Sequence, residues 1–158
     1  MMSYDDDFPT CKETHASLRI FSDDVGPSVI TTMLGIAPSK IFAKGDVFGS
    51  RGAVRKFNGW FLSSEQAVDS KDTRRHIDWI ISKIRDKSVE VAELQAKGFD
   101  IDITCLWLST GQGGPILSPP QMKELARLNV DVWWDVYFSN RESEETVDTV
   151  IQLKSNVP

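Results

Sequence analysis

"FDIDITCLWLSTGQGGPILSPPQMKELARLNVDVWWDVYF", residues 99–138, decides the fold. At its start Phe99, Ile101, Ile103, Cys105 and Trp107 alternate with Asp100, Asp102, Thr104, Leu106 and Leu108. A period of two marks a strand with one face more apolar than the other. "TGQGGPIL" is a turn-rich connection. Ser118, Pro119 and Gln121 then supply a helix cap, a first-turn proline and a capping-box partner. "VDVWWDVYF" (130–138) alternates again. A strand, a helix and a second strand joined at this length read as a crossover between parallel strands. Neighbouring side chains in a strand point to opposite faces, so Trp133 and Trp134 are expected on different sides of the sheet. Val130, Val132, Trp134, Val136 and Phe138 are assigned to the helix-covered face, and Asp131, Trp133, Asp135 and Tyr137 to the other.

Toward the N-terminus the same signals recur. "HASLRIF" (15–21) alternates, with Ala16, Leu18 and Ile20 on one side and His15, Ser17, Arg19 and Phe21 on the other. Pro27 and Gly35 bracket a short helix at about 27–34, with Val29, Ile30, Met33 and Leu34 as its apolar stripe. Strands are expected near 40–46 and 57–63, separated by a loose, glycine-interrupted connection. The run 72–98 is helical, with Ile77, Ile80, Ile81, Ile84, Val91 and Leu94 at helical spacing and a break expected at 86–88. Trp79 falls opposite that stripe, and Gly98 suits a helix end.

The resulting order is β-α-β-β-α-β-α-β. Its first six elements match a ferredoxin-like split βαβ unit, and the last helix and strand extend it. The expected fold class is α+β: a five-stranded mixed sheet in the order 5-4-1-3-2 with all helices on one face. The other face is left open. Residues 1–13 read as a flexible acidic leader, 14–140 as a single domain and 141–158 as a polar tail. In that tail Val147, Val150 and Ile151 have the spacing of a short terminal helix.

Composition fits this architecture. A chain of 158 residues, 41% hydrophobic and 26% charged, can bury one real core. The formal net charge of -5 disfavours phosphate backbones, so nucleic acid is not expected as a partner. No apolar run approaches a bilayer-spanning length, so no membrane association is expected. "MMSYDDDFPT" lacks an apolar export core. Cys11 lies in a polar leader and Cys105 in an apolar strand, which reads as two free thiols in a reducing cytoplasm.

Several stretches carry a resemblance. "SLRIFSDDVGPSVITTMLGIAPSKIFAKGD", "NGWFLSS", "HIDWIISKI" and the run from "ITCLWLS" to "VYF" are similar to an uncharacterised bacterial family, domain-of-unknown-function family four-two-seven-nine. "LGIAP" with a later "KGD", the "GW" of the third strand and the closing "LSPPQMKELARLNVDVWWDVYF" carry it, over about residues 16–138. The resemblance implies a single small α+β domain in bacteria. It assigns no catalytic residue.

"STGQGGP" lies between a strand and a helix, where phosphate cradles occur, but two prolines intervene and no Lys-Ser/Thr follows. It reads as a flexible connection. Asp100, Asp102, Asp131 and Asp135 suit a carboxylate cluster or the solubilising face of a strand; the second reading is preferred. His15 and His76 stand on separate elements without ligand-spaced companions, so no metal site is expected. Ser63 and Ser64 lack a nucleophile-elbow context. The stretch 40–56 interleaves Lys40, Lys44, Arg51, Arg55 and Lys56 with aromatics, as anion-binding loops and RNA-binding sheets do. The third strand nevertheless lacks the RNA-recognition signature, and the open face carries acids.

The sequence therefore reads as a binding module rather than an enzyme, with no catalytic residues and no cofactor. Its surface is Trp133, Tyr137, Asp135, Asp102 and Arg19 on the open sheet face. The expected partner is another protein or a second copy of the chain, and toxin immunity is one concrete version. The alternative is a small-molecule or anion-binding domain, possibly enzymatic, that uses the same face together with Lys44, Arg51 and Arg55 of the basic loop.

Overall fold

The computed structural model describes residues 3–139. The expected tail and its short helix lie outside the described residues. Strand β1 (Cys11–Ser22) leads into α1 (Pro27–Leu34). Then come β2 (Lys40–Phe42), a small hairpin of β3 (Val47–Phe48) and β4 (Ala53–Val54), and β5 (Asn58–Ser63). Helix α2 (Thr73–Ile84) passes through a 3-10 turn (Arg85–Lys87) into α3 (Ser88–Ala96), so the long helical region breaks close to where its polar run falls. Strand β6 (Asp100–Ser109), α4 (Pro119–Leu128) and β7 (Asp131–Phe138) complete the domain.

The fold is mixed α+β around a five-stranded mixed sheet in the order β2-β5-β1-β6-β7. Pairing is antiparallel except between β6 and β7, which run parallel. The order differs in detail from the sequence reading because β3 and β4 form a separate two-stranded sheet inside the expected loose connection. With that hairpin set aside, the neighbours of each remaining strand are those expected. Strand β1 is central and long. It starts at Cys11, four residues before the expected start, with a register shift between Cys11 and Glu13.

Local chemistry sets the helix ends. Pro27 opens α1, and Gly35 closes it in the left-handed region at φ 65°. Asp72 caps α2 by accepting a hydrogen bond from the Arg74 amide. Ser118 and Gln121 form the expected reciprocal box, with Gln121 Oε1 accepting from the Ser118 amide at 3.0 Å.

One core cluster joins sheet and helices. Ala16, Leu18 and Ile20 of β1, Trp60 and Leu62 of β5, and Ile103 and Cys105 of β6 pack against residues from all four helices. Ile77, Ile80, Ile81, Ile84, Leu94 and Leu125 are among them. The β1 alternation, the isoleucine stripe and the partly exposed Trp79 are as the sequence indicates. Val29, expected in the α1 stripe, is exposed. Trp107 is buried, with Phe8 packed edge-on at 5.3 Å between ring centroids. The segment read as a leader makes further contacts: Tyr4 Oη donates to Asp78 at 2.6 Å, the Asp5 amide donates to Asp72 at 2.8 Å, and Asp6 pairs with Arg75 at 3.1 Å.

Strand β7 departs in part from its expected packing. Trp134 and Val132 turn toward the core as expected and are half-buried against it, as is Ile101. Val136 and Phe138 do not reach it: they are 46% and 73% exposed. The reason is length. A helix rises about 1.5 Å per residue and a strand about 3.3 Å. The 10 residues of α4 span roughly 15 Å, which covers β7 only to about Trp134. The last four residues of the strand outrun their helix.

Candidate functional site

The sheet face away from the helices is built from alternate residues. In register across β1, β6 and β7 lie Arg19, Asp102 and Asp131, then Ser17, Thr104 and Trp133, then His15, Leu106 and Asp135. The β6 register sets the two adjacent tryptophans on opposite faces of the sheet. Trp134 sits beside Cys105 on the core side and Trp133 beside Thr104 on the open side. Trp133 is 59% exposed and Tyr137 58%, and Asp131 and Asp135 on the same face are also exposed.

The predicted surface residues are not equivalent. Arg19 grips Asp102 with two bonds, Nε to Oδ1 at 2.7 Å and Nη2 to Oδ2 at 2.9 Å. The hydrogen bond to Asp102 holds the Arg19 pKa above its ordinary value, outweighing the opposing effect of burial. This pair presents little net charge. Thr104 Oγ1 donates to Asp135 Oδ2 at 3.0 Å. Asp102 and Asp135 therefore have separate partners, and the four aspartates do not share one carboxylate centre.

At the opposite edge the basic loop is organised by aromatic rings. Phe21 packs edge-on to Phe57 and Phe61, with centroids at 5.3 and 5.6 Å, and Phe42 leans on Phe57 and Phe61. The Arg55 guanidinium lies 4.2 Å from the Phe42 centroid and 3.7 Å from that of Phe48. That contact ties the β3-β4 hairpin to the sheet edge. Lys44 pairs with Asp24 at 3.5 Å, and Arg51 is exposed in the hairpin turn. Gly59 permits the close approach of Phe42: a Cβ there would lie 2.4 Å from the ring.

A cavity of about 350 Å³ opens on the same sheet face. His15, Ser17, Lys40, Phe61, Ser63 and Glu65 contribute to its lining. Lys40 of the basic stretch is among its lining residues, whereas Lys44, Arg51 and Arg55 are not. Spacing along the chain gave His15 no companions, but the fold brings two. Glu13 is two residues away on β1, and Glu65 follows β5 beside it. Potential ligand atoms of Glu13, His15 and Glu65 all lie within 4.8 Å of one another. Nothing near His15 in sequence announces Glu65. The available signal was the β1-β5 pairing, which sets Ser63 opposite Ser17 and so carries Glu65 toward His15.

The other candidates resolve into structural roles. His76 is buried, with Nδ1 2.8 Å from Ser64 Oγ and Nε2 2.9 Å from the Ser70 carbonyl. The carbonyl can only accept, so Nε2 carries the proton and Nδ1 accepts from the serine hydroxyl. Burial, outweighing the Ser70 contact, lowers the His76 pKa. Ser64 also accepts from the Ala16 amide at 2.9 Å and is fully buried, so this serine-histidine pair has no substrate access. The "STGQGGP" loop folds on itself and against Thr10, with Ser109 Oγ donating to the Gly111 carbonyl at 2.8 Å. The buried Gln121 side chain donates to the Arg74 carbonyl and to Asp78 Oδ1.

Residues 12–139 match the family described as Domain of unknown function (DUF4279). This chain belongs to that family. The DUF4279 match begins one residue into β1 and ends one residue after β7, so it includes the whole open face. It is slightly longer at both ends than the resemblance over about 16–138. No curated protein and no solved structure matches the chain. Among the described residues, no helix is long and apolar enough to cross a membrane.

Proposed function

We propose that this DUF4279 chain is a bacterial, cytoplasmic protein-binding module built on a ferredoxin-like split βαβ unit. Its partner is a protein that lays a basic surface on the strip formed by Asp131, Trp133, Asp135 and Tyr137. One observation carries this reading: two aromatic side chains, each more than half exposed, share one face of an edge strand with two exposed carboxylates. Exposed Trp and Tyr leave on the order of 250 Å² of aromatic surface in water, which is unfavourable until something covers it. Aromatic residues of this kind anchor protein interfaces, and flanking charges select the partner and speed its approach. Asp102, neutralised by Arg19, forms the floor of the strip rather than its charge. An immunity protein that caps a basic toxin is one form this function takes. Nucleic acid, membrane and cofactor have no place in this reading.

The test compares wild type with Trp133→Thr and Asp135→Asn in the source cell. A basic partner should co-purify with wild type and be lost from both variants, while circular dichroism shows equal folding. Sedimentation of the isolated chain should show a monomer. A dimer that dissociates on Trp133→Thr would assign the strip to a second copy instead. A second reading, a small polar ligand, is supported by the cavity beside His15, Lys40 and Glu65.

A further inference from the structure

We propose that Glu13, His15 and Glu65 form a site for one divalent transition-metal ion of the zinc class. It lies at the end of the open sheet face opposite the Phe21–Phe57–Phe61 cluster, and it is independent of the β7 strip. The placement follows from sheet geometry. Glu13 and His15 are alternate residues of β1 and so share its open face, and antiparallel pairing with β5 delivers Glu65 beside them. Their potential ligand atoms lie within 4.8 Å of one another. In a formed site, bonds of about 2.0–2.2 Å place neighbouring donors roughly 3.3 Å apart. The remaining closure falls to exposed carboxylates: the Glu13 side chain is 55% exposed and unconstrained by the core.

A second observation points to a ligand here. His15 Nδ1 is buried and has no hydrogen-bond partner among the described residues, with the nearest Glu13 oxygen at 3.9 Å. A buried imidazole nitrogen is normally satisfied. An ion between that nitrogen and the carboxylates would satisfy it. One imidazole nitrogen with two carboxylate oxygens is a borderline donor set. It suits zinc and its neighbours in the transition series, whereas magnesium and calcium favour oxygen alone. Cys11, two residues before Glu13 on β1, and Cys105 on β6 are both buried, and neither belongs to the cluster. His15 and Glu65 also line the 350 Å³ cavity, so coordination positions not taken by protein border space large enough for water or a small oxygen-donor ligand.

The experiment is a chelator-buffered zinc titration of the full chain, with cobalt absorption as a second readout of coordination. Wild type should bind one zinc per chain, and cobalt should give visible bands. His15→Gln and Glu65→Gln should each weaken zinc by at least about tenfold. Glu93→Gln, an exposed change on α3, should leave it unchanged. Because His15 is half-buried, circular dichroism accompanies each variant; should His15→Gln unfold, the exposed Glu65→Gln decides. Absence of stoichiometric binding to wild type, or binding that Glu65→Gln leaves untouched, overturns the proposal.

Discussion

Replacing the two adjacent tryptophans one at a time should separate the faces of β7 energetically. Trp134 packs on the edge of the core cluster with part of its surface in water. Deleting a fully buried tryptophan costs about 3–5 kcal/mol through lost transfer energy and the cavity left behind. Partial burial lowers that, so Trp134→Ala should cost roughly 2–4 kcal/mol. Trp133, 59% exposed over Thr104, has little transfer energy to lose. Threonine is β-branched and suits a strand, so Trp133→Thr should change stability by less than about 1 kcal/mol. Urea denaturation reads both. With a slope of roughly 2 kcal/mol/M, Trp134→Ala should lower the midpoint by about 1–2 M and Trp133→Thr by less than about 0.5 M, at unchanged slope. A larger loss from Trp133→Thr than from Trp134→Ala would mean that the strand's alternation is inverted and that the exposed strip does not exist.

Three further outcomes follow from the packing. The His76 pKa is lowered in the folded chain from its ordinary 6.5, so the unfolded chain takes up the proton first. The stability associated with neutral His76 is complete above about pH 6.5 and is lost as pH falls through the folded value. Urea midpoints between pH 8 and 5 should therefore fall more for wild type than for His76→Asn, and equal slopes would contradict the burial argument. Gly59→Ala should cost about 1–3 kcal/mol because its Cβ meets the Phe42 ring, and the penalty should shrink in a Phe42→Ala background; an additive double mutant would exclude that contact. Burial pushes the Cys11 thiol up to about 11 and the Cys105 thiol up to about 12. The folded chain at pH 8 should thus resist thiol reagents, and denaturation should release two reactive sulfurs. Fast labelling of the folded protein, or none after denaturation, would refute this.

The fold was legible where short-range signals agree. Alternation in β1 and β6, the isoleucine spacing of α2 and the Ser118–Gln121 box each specify an element, and their order along the chain yields a five-stranded mixed sheet. The β3-β4 hairpin was not legible, because two-residue strands carry no periodicity. Its anchor, Arg55 between Phe42 and Phe48, spans thirteen residues. Nor did alternation reveal where helix cover ends, so Val136 and Phe138 were placed in a core that α4 is too short to extend. The same holds for function. Trp133 and Tyr137 could be assigned to the open face from parity alone, but the neutralisation of Asp102 by Arg19 needed the register. The meeting of Glu65 with His15 depends on strand pairing across fifty residues.

The central claim is that the β7 strip of the isolated chain is free for a partner. Hydroxyl-radical footprinting of the full-length monomer, read by mass spectrometry, tests it most directly. Trp133 and Tyr137 should oxidise several times faster than the buried Trp60 and Trp107. Protection of Trp133 equal to that of Trp60 in a monomer would show that the chain covers the strip itself, and the binding surface would have to be sought elsewhere.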